Sequence, residues 1–199
     1  MLPFSEACER NKEPILAVLR EAFAGCTHVL EIGSGTGQHA VHFALAMKWL
    51  VWQPTETAEA MPGLRKRIFN EGPANLRAAV LLDVSESPWD VRRVDGVFTA
   101  NTLHIMHWPE VEAFFAGLPA VMKPETVLAI YGPFRYGGEY TSDSNAEFDA
   151  FLRMRDPGSG IRDFEAVDAL AQAAGFRLAA DHRMPANNQT LVWKSAPVA

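Results

Sequence analysis

A glycine-rich turn preceded by an acidic residue carries the clearest chemical signal in this sequence. The segment runs between an apolar stretch and a helical pattern and reads Glu31-Ile32-Gly33-Ser34-Gly35-Thr36-Gly37. Its glycines permit backbone turns that a Cβ would block, and they let a ligand approach the backbone closely. The carboxylate of Glu31 suits a cationic ligand and would repel a pyrophosphate. The turn therefore predicts a small-molecule site with a positively charged group near Glu31.

Two more acidic positions follow predicted strands, and they indicate the rest of the ligand. Glu56 comes 23 residues after Gly33, where an acid can accept hydrogen bonds from both ribose hydroxyls. Asp83-Val84 follows the third strand, where it can bind an adenine amino group and pack against the ring. Ammonium, sulfonium, ribose and adenine together describe S-adenosylmethionine. We therefore predict S-adenosylmethionine as the cofactor, with S-adenosylhomocysteine as its product.

Alternating strands and helices place these residues at one edge of a sheet. The predicted strands lie at 27–32, 49–53, 78–82, 96–100, 126–131, 176–182 and 190–194, and the first five of them are short and apolar. The predicted helices are 14–23, 38–47, 59–71, 109–122 and 163–174. Apolar strands that alternate with helices indicate a parallel sheet buried on both faces, which binds ligands at the carboxyl ends of its strands. The last two strands indicate an antiparallel hairpin edge, so we predict an α/β fold with a seven-stranded, mostly parallel sheet.

Chain length predicts one domain over residues 1–199, because 199 residues are enough for one α/β core and too few for two. Within it, residues 1–25 are interpreted as an N-terminal cap segment. Residues 132–161 form a long excursion with one predicted helix at 145–155. Excursions of that length are usually lids or binding loops, so we predict a lid here.

Composition excludes several classes of protein. The net charge of −6 argues against general nucleic-acid binding, which depends on lysine and arginine. No apolar run approaches the roughly 20 residues of a membrane span, and the first residues lack the pattern of a signal peptide. We therefore expect a cytoplasmic protein without membrane or nucleic-acid partners. Cys8 and Cys26 are expected to be reduced thiols, because two cysteines make no disulfide framework.

Histidines near the fourth strand are the candidates for acid–base chemistry. Asn101 and His104 follow that strand. Asn101 is expected to contact the cofactor, and His104 can act as a general base because histidine titrates near neutrality. A histidine that is only hydrogen-bonded within its loop is the alternative. His39-x-x-His42 and His104-x-x-His107 have helical spacing, but neither pair has a carboxylate or thiolate companion, so no metal site is predicted. We expect His39 to line the glycine turn instead.

The glycine turn resembles motif I of class I S-adenosylmethionine-dependent methyltransferases. More closely, the chain resembles an uncharacterised methyltransferase-like family, domain of unknown function 938. The resemblance spans nearly the whole chain and rests on five segments: Ala7 to Lys12, Gly33 to His39, Trp52-Gln53-Pro54, Tyr131 to Phe134, and Pro185 to Asn188. It implies the Rossmann-like class I methyltransferase fold and the cofactor, but not the acceptor. That family often has Asp where this chain has Glu56.

The resemblance also implies that the segment with Arg10 and Asn11 folds over the cofactor pocket; simple helix capping is the alternative. Asn11 is then expected to contact the cofactor and Arg10 the acceptor. Four further residues are expected to line an acceptor cavity, namely Tyr131, Arg135, Tyr136 and Asn187. The acidic charge and the predicted lid favour a small-molecule acceptor, and the oligomeric state stays open.

Two other functions compete with methyl transfer. A nicotinamide-dependent oxidoreductase would use a similar fold, but Gln38 occupies the position where a dinucleotide site needs its third glycine or alanine, and Glu31 would repel the pyrophosphate. A non-catalytic scaffold that binds S-adenosylmethionine or S-adenosylhomocysteine is the other alternative, because a fold does not guarantee chemistry.

Overall fold

The computed structural model describes residues 2–196. Helices and strands alternate through most of this range. In chain order the elements are α1 (Glu6–Ala22), β1 (His28–Glu31), α2 (Gln38–Ala46), β2 (Val51–Glu56), α3 (Met61–Glu71), β3 (Val80–Leu81), β4 (Val94–Ala100), α4 (Trp108–Val121), β5 (Met122–Gly132), β6 (Phe134–Tyr136), β7 (Glu139–Tyr140), α5 (Asp143–Arg155), β8 (Arg162–Asp163), α6 (Phe164–Ala173), β9 (Phe176–Met184) and β10 (Asn188–Ser195). None of the helices within residues 2–196 is both long and apolar enough to cross a membrane.

The central sheet has seven strands in the order β3-β2-β1-β4-β5-β10-β9. The first five are parallel to one another, and β10 is antiparallel to both β5 and β9. This arrangement confirms the predicted α/β, Rossmann-like sheet with its antiparallel C-terminal hairpin. The chain runs from β1 outward to β3 and then returns to β4, so a crevice opens at the carboxyl ends of β1 and β4.

Apolar side chains pack on both faces of this sheet, as a buried parallel sheet requires. On one face, α1 and α2 cover an aromatic cluster in which the rings of Phe43 and Phe98 lie 5.5 Å apart, edge to face. On the other face, α4 and α6 cover a second cluster that includes Phe114 and the fully buried Trp193. The two layers fix the strand ends rigidly, and those ends carry the candidate site.

Helix α1 differs from the predicted helix at 14–23, because it begins at Glu6. Ser5 caps it by accepting a hydrogen bond from Cys8 N at 3.3 Å, which is ordinary N-cap chemistry. Pro14 was expected in the first turn but lies inside the helix. Since proline has no N–H, the carbonyl of Arg10 has no helical donor there.

Strand β2 extends past the predicted limit at residue 53 and ends at Glu56. Pro54 was expected to stop it, yet Pro54 pairs with Glu31 in the ladder to β1. The ladder between β2 and β3 begins only at Thr55, so Pro54 lies at its margin, where proline is tolerated. The strand thereby carries Glu56 to its carboxyl end.

The excursion at 132–161 contains more structure than its one predicted helix. Strands β6, β7 and β8 form a small separate sheet in the order β7-β6-β8, and α5 follows the β6–β7 hairpin. Ser142 caps α5 by accepting from Asn145 N at 3.2 Å. Helix α5 lies beside the carboxyl edge of the main sheet, where several of its side chains line the large cavity described next.

Candidate functional site

A cavity of about 1090 Å³ lies at the carboxyl ends of β1, β4 and β5. This volume is at the upper end of the range for small-molecule sites. Its walls come from the start of α1, the glycine turn, the loop after β4, the end of β5, α5 and the β9–β10 turn. Among the predicted site residues, the cavity is lined by Arg10, Asn11, Gly33, Ser34, Gly35, His39, Asn101, His104 and Tyr131.

The glycine turn forms the floor of this cavity, and its backbone conformation favours glycine at three positions. All three glycines have positive φ, at +71° for Gly33, +52° for Gly35 and +76° for Gly37, a region that residues with a Cβ rarely adopt. A Cβ at Gly33 would lie 3.0 Å from Thr102, and one at Gly37 would lie 2.8 Å from Leu64. A Cβ at Gly35 would meet nothing within 4 Å, so it would project into open space. Gly35 therefore leaves room for a ligand rather than for protein.

Glu31 lies behind the glycine turn and is almost completely buried. Its side chain is 2% exposed, and its Oε2 accepts a hydrogen bond from Trp52 Nε1 at 2.9 Å. Burial raises the pKa of Glu31 to about 7, against the opposing effect of the Trp52 indole N–H. The carboxylate does not line the cavity directly. Its ionised form would gain from a cation placed over the turn, because the surroundings are of low polarity.

Glu56 reaches the same turn from the end of β2. Its Oε2 accepts a hydrogen bond from Gly35 N at 2.6 Å, and its Oε1 accepts from Thr57 N at 2.8 Å. The carboxylate also helps to raise the pKa of Glu31 by like-charge repulsion. The structure therefore brings Glu31, Glu56 and Gly35 together, with Glu56 beside the cavity floor and outside its lining residues.

Asp83 and Val84 follow β3 and are not brought into the cavity. Asp83 is exposed and accepts a hydrogen bond from Ser85 N at 2.9 Å, while Val84 is buried in the α4-side core. The neighbouring Leu82 N donates to Glu56 O at 3.0 Å, which places this segment beside the end of β2. Contact with an adenine stays a prediction for both residues.

The start of α1 folds over the glycine turn and is held there by the buried Gln38. Ser5 N donates to Gln38 Oε1 at 2.6 Å, and Gln38 Nε2 donates to Glu9 Oε1 at 2.7 Å and to Ser5 O at 3.3 Å. Further along α1, Asn11 Oδ1 lies 2.7 Å from His39 Nε2. Burial lowers the pKa of His39 to about 4, so its ring is neutral. Asn11 and His39 both line the cavity.

The loop after β4 supplies Asn101 and His104. Asn101 has a φ of +57°, and its N–H donates to Tyr131 O at 2.9 Å. His104 is buried, and its ring packs edge to face on Phe148 of α5 with centroids 5.4 Å apart. Burial, followed by the charge of Arg162, lowers the pKa of His104 to about 4. The imidazole is therefore neutral at physiological pH, the form that can accept a proton.

The residues expected at the acceptor divide between two places. Arg10 and Tyr131 line the large cavity. Tyr136 and Asn187 instead line a separate cavity of about 460 Å³ between β6 and the β9–β10 turn. Arg135 lines neither cavity, because its guanidinium pairs with Asp163 of β8 at 2.7 Å.

The histidines of the two spaced pairs, His39/His42 and His104/His107, do not converge on one site. His42 and His107 each lie beside a carboxylate of their own. His42 Nε2 lies 3.2 Å from Glu13 Oε1, and His107 Nε2 lies 2.8 Å from Asp156 Oδ2. No group of three or more His, Cys, Asp or Glu residues that could hold a metal ion occurs within residues 2–196. Cys8 and Cys26 are both free thiols.

Comparison with known proteins identifies the family. The model of the family described as "Protein of unknown function (DUF938)" matches residues 2–195. The chain belongs to the DUF938 family. This confirms the resemblance that its five sequence segments indicated.

Among solved structures with the same fold, two are described as methyltransferases and a third as bound to SAH. An O-methyltransferase family protein from Burkholderia thailandensis has a TM-score of 0.83 at 16% identity, over 98% of this chain and 59% of its own. Human N-acetylserotonin methyltransferase in complex with SAM has a TM-score of 0.80 at 13% identity, over 96% of this chain and 53% of its own. PigF with SAH has a TM-score of 0.75 at 17% identity, over 96% and 64%. This DUF938 chain thus spans between half and two thirds of their lengths, and at these identities the likeness establishes the fold.

Several lining residues of the cavity were not predicted from the sequence. They are contributed mainly by the beginning of α1 and by α5, and they include Cys8, Asn145, Phe148 and Arg155. One sequence signal was available for Phe148. Besides Leu152, which is buried, the predicted lid helix carries three large apolar side chains, Phe148, Phe151 and Met154. Phe148 turns out to be the one of these three that faces the described cavity.

Proposed function

We propose that this protein transfers a methyl group from S-adenosylmethionine to a small-molecule acceptor. The observation that carries the proposal is the floor of the cavity, where Gly35 leaves open space above its backbone, Glu56 accepts a hydrogen bond from Gly35 N, and Glu31 is buried behind the turn. A cationic, ribose-bearing ligand matches that arrangement. A second observation supports the fit, because Ser34 is buried and lines the cavity, and its side chain lowers the pKa of Glu31 behind the turn.

Binding of the cofactor would be divided among three parts of the chain. The backbone of the glycine turn and the charge of Glu31 would hold the amino-acid end, and Glu56 would bind the ribose hydroxyls. Asp83 and Val84 would contact the adenine, and Asn11 and His39 would cover the turn. When bound, the sulfonium supplies an electrophilic methyl group for an in-line displacement.

The residues of this chain would hold the acceptor in place and accept its proton, without forming a covalent bond to it. Asn101, which lines the cavity beside the glycine turn, would contact the cofactor. Tyr131 and Arg10 line the same cavity and would orient an acceptor. Helix α5 covers the same space with Phe148 and would exclude water. If the acceptor arrives protonated, the neutral ring of His104, which lines the cavity, can take that proton. Positioning alone can supply a large part of the rate.

A nicotinamide-dependent oxidoreductase fits the site less well. The side chain of Gln38, where a dinucleotide site needs a small residue, is engaged by Ser5, Glu9 and Thr36. Glu31 behind the turn and Glu56 beside it would, when ionised, repel a pyrophosphate. A non-catalytic scaffold would bind the cofactor in the same pocket. It would differ from an enzyme only in transferring no methyl group.

Thermal unfolding with added ligand tests the proposal. A ligand that binds only the native state at 100 times its Kd stabilises by about 2.7 kcal/mol, which raises the Tm of a chain this size by roughly 5–10 °C. We expect that rise with S-adenosylhomocysteine and none with NADH. The reverse result would favour the oxidoreductase. A rise with S-adenosylhomocysteine, but no labelled methyl transfer to a broad panel of small hydroxyl, amine and thiol compounds, would favour the scaffold.

A further inference from the structure

Four consecutive backbone carbonyls of the loop after β4 accept hydrogen bonds from one short segment, residues 158–162. Arg162 Nε donates to Leu103 O at 3.0 Å, and Gly160 N donates to His104 O at 2.9 Å. Ser159 Oγ donates to Ile105 O at 2.8 Å. Arg162 also donates through its NH2 group to Met106 O. The loop that carries His104 is therefore held along its whole length by residues distant in sequence.

The same segment is fixed to helix α5. Ile161 N donates to the buried carboxylate of Asp149 at 2.5 Å. Directly after α5, Asp156 bonds His107 at 2.8 Å. The backbone at Gly158 also packs closely against the His107 ring, because a Cβ at Gly158 would lie 2.5 Å from His107 Cδ2. Helix α5 and the His104 loop are thus joined on two sides, apart from the contact of Phe148 with His104.

Arg162 has an unusual environment for a half-buried guanidinium. It forms no ion pair with a carboxylate within residues 2–196. Its donors go to three backbone carbonyls, the third being Gly158 O at 2.9 Å. Burial lowers the pKa of Arg162, and the charge of Arg153 adds to that effect. A desolvated charge of this kind is costly unless its hydrogen bonds are well placed. The planar, forked guanidinium of Arg162 can reach three carbonyls at once, which offsets that cost.

We propose that Arg162 is a positioning residue that locks the His104 loop and α5 into one unit. An acceptor held under α5 would then meet the imidazole at a fixed place, with no separate movement of the loop. The proposal rests on the proposed function for its meaning in catalysis. Its physical content, the fixed and buried state of His104, can be tested without any acceptor.

The test follows the His104 imidazole by NMR during a pH titration. In the native protein we expect His104 to titrate near pH 4, as burial dictates. Arg162→Lys keeps the positive charge but cannot bond Leu103 O and Met106 O together. The loop should loosen, water should reach the ring, and the pKa of His104 should rise by at least about one unit toward its ordinary value near 6.5. Amide exchange should quicken in 103–107 and in α5 together.

Arg153→Lys is the matched control, because Arg153 pairs with Asp149 within α5 and makes no bond to the loop. It should leave the pKa of His104 unchanged. Ser159→Ala removes only the bond to Ile105 O and provides a milder second variant, for which a smaller rise is expected. An unchanged pKa of His104 in both Arg162→Lys and Ser159→Ala, or faster exchange in the loop without α5, would overturn the proposal. Binding of S-adenosylhomocysteine, measured in parallel, reports on the proposed function separately, and we expect Arg162→Lys to retain it.

Discussion

Glu31 and Trp52 form a buried pair in which the indole Nε1 donates to the carboxylate Oε2 at 2.9 Å. The pair lies directly behind the glycine turn, on two neighbouring parallel strands. Burying an acid there has a cost in stability, because desolvation raises the pKa of Glu31 to about 7. Glu31 is thus an acid with a strongly raised pKa beside a ligand-sized cavity. Groups with shifted pKa values are common at functional sites.

The pH dependence of stability provides the first prediction. Glu31 titrates near 4.5 when unfolded and about 7 when folded, so the folded chain binds more protons between those values. Its contribution is fully present below pH 4.5 and is lost as the pH rises through 7. Glu31→Gln keeps an acceptor for Trp52 but cannot ionise. Between pH 4.5 and 8 we expect the unfolding free energy of the native protein to fall relative to the variant by about 1–3 kcal/mol, as measured by urea unfolding. Parallel curves for the two proteins would contradict the buried, shifted state of Glu31.

Gly35→Ala tests the open space above the glycine turn. The positive φ of Gly35 makes any Cβ cost about 1–2 kcal/mol, and this Cβ would project into the cavity. We expect a modest loss of stability and a loss of at least tenfold in affinity for S-adenosylhomocysteine, measured by titration calorimetry. Gly137→Ala is the matched control, because Gly137 has a φ of +58° and equally open surroundings, but lies outside the cavity. Equal affinities in the two variants would place the ligand elsewhere.

Gln38→Ala tests whether the start of α1 is held over the turn. The variant removes hydrogen bonds to Ser5 and Glu9, each worth about 1 kcal/mol. We expect faster amide exchange at residues 5–11 and faster dissociation of S-adenosylhomocysteine, with the rest of the sheet unchanged. Gln172→Ala, which removes an exposed bond to Asp168 on α6, should change neither. Unaltered exchange at residues 5–11 in the Gln38 variant would show that other contacts hold this segment.

His104→Asn tests the general base. Cofactor affinity should stay within about twofold of the native value, while labelled methyl transfer slows by about 100-fold, the lower end for general-base catalysis, because a ring with a pKa near 4 is a weak base. The native rate should not fall between pH 8 and pH 6 through protonation of His104. His182→Asn, on β9 and away from the cavity, is the control. A native rate that halves near pH 6.5, and no longer does so in His104→Asn, would contradict the buried neutral state of the ring.

The sheet could be predicted from local patterns because each strand is a short apolar run with a polar stop. The glycine turn could also be predicted, since three glycines and an acid lie within seven residues. The start of helix α1 was predicted eight residues too late. Residues 6–13 are largely polar, and Pro14 is typical of a first turn, so the cap at Ser5 was less visible than the proline.

The far wall of the cavity could not be predicted, because it depends on how separate elements dock. Phe148 and Cys8 reach the cavity only after α5 and α1 pack against the carboxyl edge of the sheet. Arg135 and Tyr136 show the opposite case. Both follow Tyr131 closely in sequence, but pairing of β6 with β8 directs Arg135 to Asp163, and Tyr136 bonds Asp181 at 2.7 Å. Nearness along the chain was a poor guide there, since the chain leaves the cavity after Pro133 and returns to it only with α5.

A crystal structure grown with millimolar S-adenosylhomocysteine tests the central claim most directly. We predict electron density for the ligand in the cavity above Gly33 to Gly37, with its amino-acid end near Glu31 and its ribose within hydrogen-bond distance of Glu56. An empty cavity at that concentration, or a ligand bound elsewhere on the chain, would contradict the account.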